Sequence, residues 1–381
     1  MFSFNFLLFP RYCASIPVMF SWFLLIPVKD VNWILISRFL GGLSVGITVD
    51  CFAIYLGEIA DPSIRGALVA IAVMGVPLGN LTMSIMGAFL SISVSSGISS
   101  VLCMIIVVLF LCLPESPHHL IKKKLDKKAI SSIQWYHCGC DVQLEFESLK
   151  KFIESSDEIS FLDVLKEFRV PVVKKAFFIS LTLLFYTQIG GFHNVIYYME
   201  TILRSAKVSI FKPADIVILI VSFSIVSSYT STILIDNYGR KFLLIISTIF
   251  SVISFCLLAL HFQLLYLNFD SEKLQFLSIV GIIGVDISVY IGLLPVAFAI
   301  MSEIFPPNIK YTAACLCVTI AALAGFVSAE TYQVLVQTIT EPYLFLLYAV
   351  YLATAIPFTL IILPETKQKT LQEIQIKLMN K

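Results

Sequence analysis

The chain has 381 residues, 58% of them apolar and only 13% charged, and its 26 Lys and Arg against 25 Asp and Glu leave a net charge of +1. A mean hydropathy of +0.92 excludes an ordinary soluble globule, in which roughly 25% of residues are charged. The net charge alone says little, because in a membrane protein the distribution of charge matters more than its sum.

In chain order, the opening stretch Met1–Phe9 is apolar but lacks a basic start and runs on into Pro10-Arg11, so no cleavable signal peptide is expected. Apolar runs of about 20 residues or more, the length that crosses a bilayer, occupy 7–28, 32–57, 66–91, 93–113, 174–203, 214–235, 242–266, 276–302, 311–338 and 342–363. In lipid every backbone amide must be paired internally, so these runs predict ten helices and an all-α, polytopic membrane bundle. Gly75, Pro77, Gly79, Gly190, Gly191 and Pro295 fall inside the runs, where they permit close helix contact or a local kink.

Four runs precede a polar stretch at 114–173 and six follow it. The expected organisation is an N-terminal half-bundle (1–113), a linker with short amphipathic helices (114–173), a C-terminal six-helix half (174–363) and a tail (364–381). The linker carries Lys122-Lys123-Lys124 and Lys127-Lys128 beside a membrane helix, which fits an anchor at the membrane face rather than a nucleic-acid site. If 114–173 is cytoplasmic, both chain ends are too, and about 20 of the 26 basic residues fall on that side, as the positive-inside rule requires.

The nine cysteines are scattered without zinc-ligand spacing and read as small apolar side chains. No nucleophile–base pair, metal cluster or phosphate loop is visible, so neither an enzyme nor a cofactor is expected. The expected partners are a small-molecule solute and the lipid bilayer, with no nucleic acid.

Short phrases repeat. Glu58-Ile59, Pro62 and Ile64-Arg65 recur 245 residues later as Glu303-Ile304, Pro307 and Ile309-Lys310, and Leu113-Pro114-Glu115-Ser116 returns as Leu363-Pro364-Glu365-Thr366. Such self-similarity implies two related halves on one plan. Asp236-Asn237-Tyr238-Gly239-Arg240-Lys241 occurs once, and its twin would fall just before residue 1. The first half is therefore expected to lack two helices and a basic loop, about 60 residues by the repeat.

These phrases also carry a resemblance. Arg38-Phe39-Leu40-Gly41-Gly42, Tyr55-Leu56-Gly57-Glu58-Ile59-Ala60, Arg65-Gly66-Ala67-Leu68, Pro114-Glu115-Ser116-Pro117, Asp236–Lys241, Glu303-Ile304-Phe305-Pro306 and Pro364-Glu365-Thr366-Lys367 stand in one order along nearly the whole chain. In these strings the chain resembles the sugar porters of the major facilitator superfamily, especially the insect hexose and trehalose transporters. The resemblance implies two six-helix halves around a central substrate path, with this chain starting near the third helix. It implies transport of a hexose or trehalose by alternating access. It also implies a charge network that closes the inner gate: Glu58, Arg65 and Glu115 in the first half, and Asp236, Arg240, Lys241, Glu303 and Glu365 in the second. The arginine expected after Pro-Glu-Ser-Pro is His118 here.

Along the substrate path the match thins. The family's Gln-Gln-x-Ser-Gly-Ile-Asn phrase becomes Thr187-Gln188-Ile189-Gly190-Gly191-Phe192-His193, followed by Asn194. The fifth-helix glutamine aligns with Val73, the eighth-helix asparagine with Ser224, the Pro-x-Pro-Trp tryptophan with Phe298, and an eleventh-helix Asn-Trp pair with Ala321-Ala322. Candidate path residues are Gln188, His193, Asn194, Ser224 and Phe298, with Ser222 and Tyr229 as further polar contacts. Each lost amide or indole removes about 1 kcal/mol of sugar binding. A regulatory relative that does not transport, a transporter of another solute, and an incomplete gene model of a protein starting about 60 residues upstream by the repeat are the rival readings. Asp50, Asp286 and Glu330 lie within the apolar runs, where an ionisable group marks a site of function by default.

Overall fold

The computed structural model describes residues 9–59, 65–136, 141–155, 167–306 and 309–367, with Lys369 and Glu373. Each of the ten apolar runs coincides with helix. Among the described residues, eight helical stretches are long and apolar enough to cross a membrane. The runs at 7–28 and 66–91 correspond to α1 (Phe9–Leu24) and α3 (Arg65–Phe89), which lie outside those eight.

Two compact units divide the chain: Met1–Val76 with Ile85–Glu158, and Pro77–Ser84 with Ile159–Lys381. The first unit contains α1, α2 (Val31–Ile59), most of α3 and α4 (Ile92–Cys112). Ser37 Oγ donates to the Ser21 carbonyl at 2.9 Å, fixing α2 against α1. Gly41 stands over the Ser21 hydroxyl, where a Cβ would come within 3.2 Å. The outward faces of these helices carry bare Phe20, Phe23, Phe39, Ile105 and Leu109, the side chains that lipid rather than water would solvate.

Three short helices follow in the first unit: α5 (Pro117–Lys122), α6 (Asp126–Tyr136) and α7 (Val142–Ser155). Ser116 caps α5 with Pro117 at its first position, which places a proline where its missing N–H costs nothing. Leu120, Ile121, Ala129, Ile133 and Phe146 form a separate small core. Ile133, fully buried in this core, is where truncation should act most cleanly. Ile133→Ala should cost about 2–4 kcal/mol locally, read as faster proteolysis between α5 and α7 with the membrane helices still protected.

In the second unit the helices are α8 (Pro171–Ile189), α9 (Phe192–Tyr197), α10 (Met199–Ser205), α11 (Pro213–Tyr238), α12 (Arg240–Tyr266), α13 (Ser271–Ser288), α14 (Leu294–Ile304), α15 (Lys310–Ile339), α16 (Glu341–Ala353) and α17 (Ala355–Ile361). Its core is one cluster in which Phe255 and Phe262 stack on Phe345 at 6.3 and 5.5 Å between centroids. Small residues set the closest contacts. Gly281, Gly284, Ser288 and Gly292 meet Leu258, Ser254, Ser251 and Ser247 of α12, and Ser251 Oγ lies 2.6 Å from Ser288 Oγ. Side chains this small let helix backbones approach in a medium that gives no hydrophobic push.

The breaks fall where the glycines and prolines predict. The run at 174–203 is interrupted between α8 and α9, where Gly191 takes φ +85°. Between α13 and α14 a π-helical turn spans Val289–Leu293, closed by Leu294 N–H donating to the Val289 carbonyl. Pro295 has no N–H to continue an α-helical ladder, and the wider turn absorbs that loss.

Candidate functional site

A cavity of about 260 Å³ opens within the second unit. Its polar wall is Asn80 and Ser84 from the middle of α3, Ser224 from α11, Asp286 from α13 and Tyr290 from the π-helical turn. Met83, Ile196, Met199, Val217 and Val221 complete it. The turn forced ahead of Pro295 carries Tyr290 into this wall, beside Asn80. Asp286 is only 3% exposed, and its Oδ2 accepts from Ser224 Oγ at 2.7 Å. The eighth-helix position expected to present an asparagine therefore presents a serine already bonded to a carboxylate 62 residues away. Of the other acids at membrane depth, Glu330 is exposed, and the side chain of Asp50 lies outside those described.

The other predicted path residues are placed differently. Asn194 is 1% exposed, and its amide donates to Ser328 Oγ at 3.0 Å and Tyr348 Oη at 2.8 Å. Its nitrogen ties α9 to α15 and α16, while among the described residues its buried Oδ1 has no hydrogen-bond partner. The Gln188 amide oxygen packs against Gly325 of α15. His193 is half-buried, stacked on Tyr197 at 6.0 Å between centroids. Phe192 sets its ring edge-to-face on Tyr290 at 5.6 Å, which links the broken helix to the cavity wall. Phe298 is 38% exposed and is not among the lining residues. Ser222 donates to the Ile218 carbonyl of its own helix, and Tyr229 is exposed.

A second constellation lies where α12 begins. Arg240 Nη2 and Nε donate to Glu303 Oε1 at 2.8 and 3.2 Å, with side chains 15% and 25% exposed. Glu365 addresses the main chain instead of a basic side chain. Its Oε1 accepts from the N–H groups of Arg240, Thr366 and Lys367 at 3.3, 3.1 and 3.1 Å, and its Oε2 from Lys241 N–H at 3.3 Å. A carboxylate there satisfies orphan donors and faces the positive end of the helix dipole. Gly239, at φ +89°, brings the turn against this carboxylate. The Lys241 ammonium donates to the Leu360 carbonyl at 2.8 Å, and Lys367 to that of Asn237 at 2.7 Å.

Expectation and structure differ here in detail. Arg240, Glu303 and Glu365 do meet, while the Lys241 side chain bonds a carbonyl and the Asp236 side chain lies outside those described. Lys310, absent from the expected set, joins it. Burial pushes its ammonium down from the ordinary lysine range, and the Glu303 carboxylate opposes that shift. In the first unit Glu58 lies in the last turn of α2 and Arg65 begins α3, with both side chains outside those described. Glu115 Oε2 lies 3.9 Å from Nε2 of His119, one residue beyond the histidine that replaces the expected arginine. Ser132 Oγ donates to the Glu115 carbonyl and Tyr136 Oη to that of Pro114, holding α6 to the Pro-Glu-Ser phrase.

A family described as sugar (and other) transporters matches this sequence over residues 12–378. The chain belongs to the sugar transporter family. It is a multi-pass membrane protein with a small sugar solute as the family's cargo, and the family is one of transporters rather than enzymes. Within the sugar transporters, it is 28% identical to Arabidopsis thaliana Sugar transporter ERD6-like 6, covering 95% of this chain and 74% of that protein. It is 29% identical to the facilitated trehalose transporter Tret1 of Apis mellifera ligustica, over 95% of this chain and 72% of the relative. Identity to Anopheles gambiae Tret1 is 26%, and there the chain spans under half of the relative's length, 46%. The inward-open xylose transporter XylE of E. coli superposes with a TM-score of 0.77 at 19% identity, over 97% of this chain and 82% of that one, which establishes the shared fold.

Proposed function

We propose that this chain mediates facilitated transport of a sugar, a hexose or trehalose, across a membrane by alternating access. The family match over residues 12–378 carries the reading, and the polar cavity of the second unit offers a place for a hydroxylated solute. The Arg240–Glu303 pair and the Glu365 clamp are the second unit's share of a gating network. Short, partly buried carboxylate–guanidinium contacts have two discrete states, made or broken, and can bias a two-state motion. The proposed organisation is a half-bundle at 1–113, a linker at 114–173 and a six-helix half at 174–363. Both chain ends face the cytoplasm, and the plasma membrane is the proposed location.

Uptake of labelled glucose and trehalose in transporter-null cells tests the reading, once surface expression has been confirmed. Saturable uptake well above that of empty cells is the expected result. Surface-exposed protein that moves neither sugar would overturn it.

A further inference from the structure

The cavity contains a carboxylate and no base. Asp286 is buried, and among the described residues its hydrogen-bond partner is the neutral Ser224 hydroxyl. Among the described residues no ion pair reaches it, and none of the residues lining the cavity is basic. An ionised carboxylate accepts hydrogen bonds and donates none. Held away from water at membrane depth, its charged form is costly unless a proton or a positive group meets it. The surrounding wall suits such a group: Tyr290 brings an aromatic ring to the lining, a ring type that attracts cations, and the Asn80 amide can orient neighbouring hydroxyls. Several of the amides and the indole that would grip a neutral sugar are meanwhile replaced, and the Asn194 amide nitrogen is bonded to Ser328 and Tyr348.

We infer that this cavity selects a sugar bearing an ammonium group, with Asp286 as its counter-ion and Ser224 holding the carboxylate in place. The inference rests on the sugar-transport reading and narrows its substrate class. Asp286 is a specificity-determining residue on this account, since its carboxylate touches the solute.

Binding to the purified full chain, read as ligand-induced thermal stabilisation, separates the possibilities without requiring transport. Glucose, glucosamine and N-acetylglucosamine present the same ring with a hydroxyl, an ammonium and a neutral amide. Glucosamine should half-saturate at a concentration at least tenfold below that for glucose, equivalent to about 1.4 kcal/mol, and N-acetylglucosamine should lose the gain. Asp286→Asn, which keeps the acceptor for Ser224, should erase the preference. Asp215→Asn, an exposed acid at the start of α11, should leave it intact. Glucose binding as tightly as glucosamine to the unaltered chain would overturn the inference, as would a preference that survives Asp286→Asn. Glucosamine preference without uptake of any sugar would uphold the site and defeat the transport reading. Uptake of glucose with no such preference would do the reverse, and no binding of any of the three would defeat the inference while leaving trehalose uptake to decide the transport reading.

Discussion

Glu365→Ala should destabilise the protein more than Glu303→Ala, although both carboxylates belong to one constellation. Glu303 meets a guanidinium that keeps access to water, with Arg240 15% exposed. When Glu303 is truncated, Arg240 can rehydrate and retain its bond to the Ile235 carbonyl. The loss should be about 1–2 kcal/mol, between the values for surface and buried pairs. Glu365 instead serves four backbone N–H groups, two of them opening a 27-residue helix. Backbone donors cannot swing away to find other partners. Removing their common acceptor forfeits a helix cap worth about 1 kcal/mol, the dipole interaction, and the bonds that hold the Thr366 and Lys367 turn, for a total of about 2–4 kcal/mol. Thermal unfolding in detergent should therefore rank Glu365→Ala below Glu303→Ala, and both below the unaltered protein. The reverse order would mean that Glu365 is not a structural clamp. Glu365→Gln sharpens the comparison: one acceptor oxygen survives, so stability should recover only in part.

The helices were legible because lipid allows few alternatives. A run of 20 or more apolar residues has to pair its own backbone, and each expected run is found as helix. The interruptions were legible too, since Gly190-Gly191 and Pro295 carry their consequences in their own covalent structure. The partner of a given side chain was not. Ser224 and Asp286 are 62 residues apart on different helices, and no local periodicity reports which face of α13 turns towards α11. Asp286 stood out in the sequence only as an acid at membrane depth, alongside Asp50 and Glu330; burial against Ser224 is what singles it out. The role of Glu365 was hidden for another reason. A sequence displays side-chain donors and acceptors, and it says nothing of the main-chain N–H groups that a turn such as Gly239-Arg240 gathers. The partners of Asn194 were hidden by the same limit, because its place one residue past the sugar-binding phrase could not show Ser328 and Tyr348 within reach.

Gly191→Val should be among the most damaging single changes in the second unit. The residue sits at φ +85°, a conformation that costs a β-carbon-bearing residue about 1–2 kcal/mol and a β-branched one more. A Cβ placed there would lie 2.5 Å from the Cγ and Cδ2 atoms of the Tyr348 ring. That ring is only 3% exposed, is tilted against Phe255 at 5.7 Å between centroids, and bears the hydroxyl that accepts from Asn194. Moving it disturbs the stacked aromatic core and breaks the tie between α9 and α16 together. A loss of about 4 kcal/mol or more follows from the clash and the backbone strain combined, with uptake falling to background. Gly325→Ala is the appropriate control. Its Cβ would also come within 2.5 Å of a neighbour, but that neighbour is the Gln188 amide oxygen, at the end of a flexible side chain. It should cost under about 1 kcal/mol, since a rotamer change relieves it. If the two substitutions proved equally mild, the break at Gly190-Gly191 could not be the rigid junction that the Tyr348 contact implies, and the position of Phe192 beside the cavity wall would have to be set by something else.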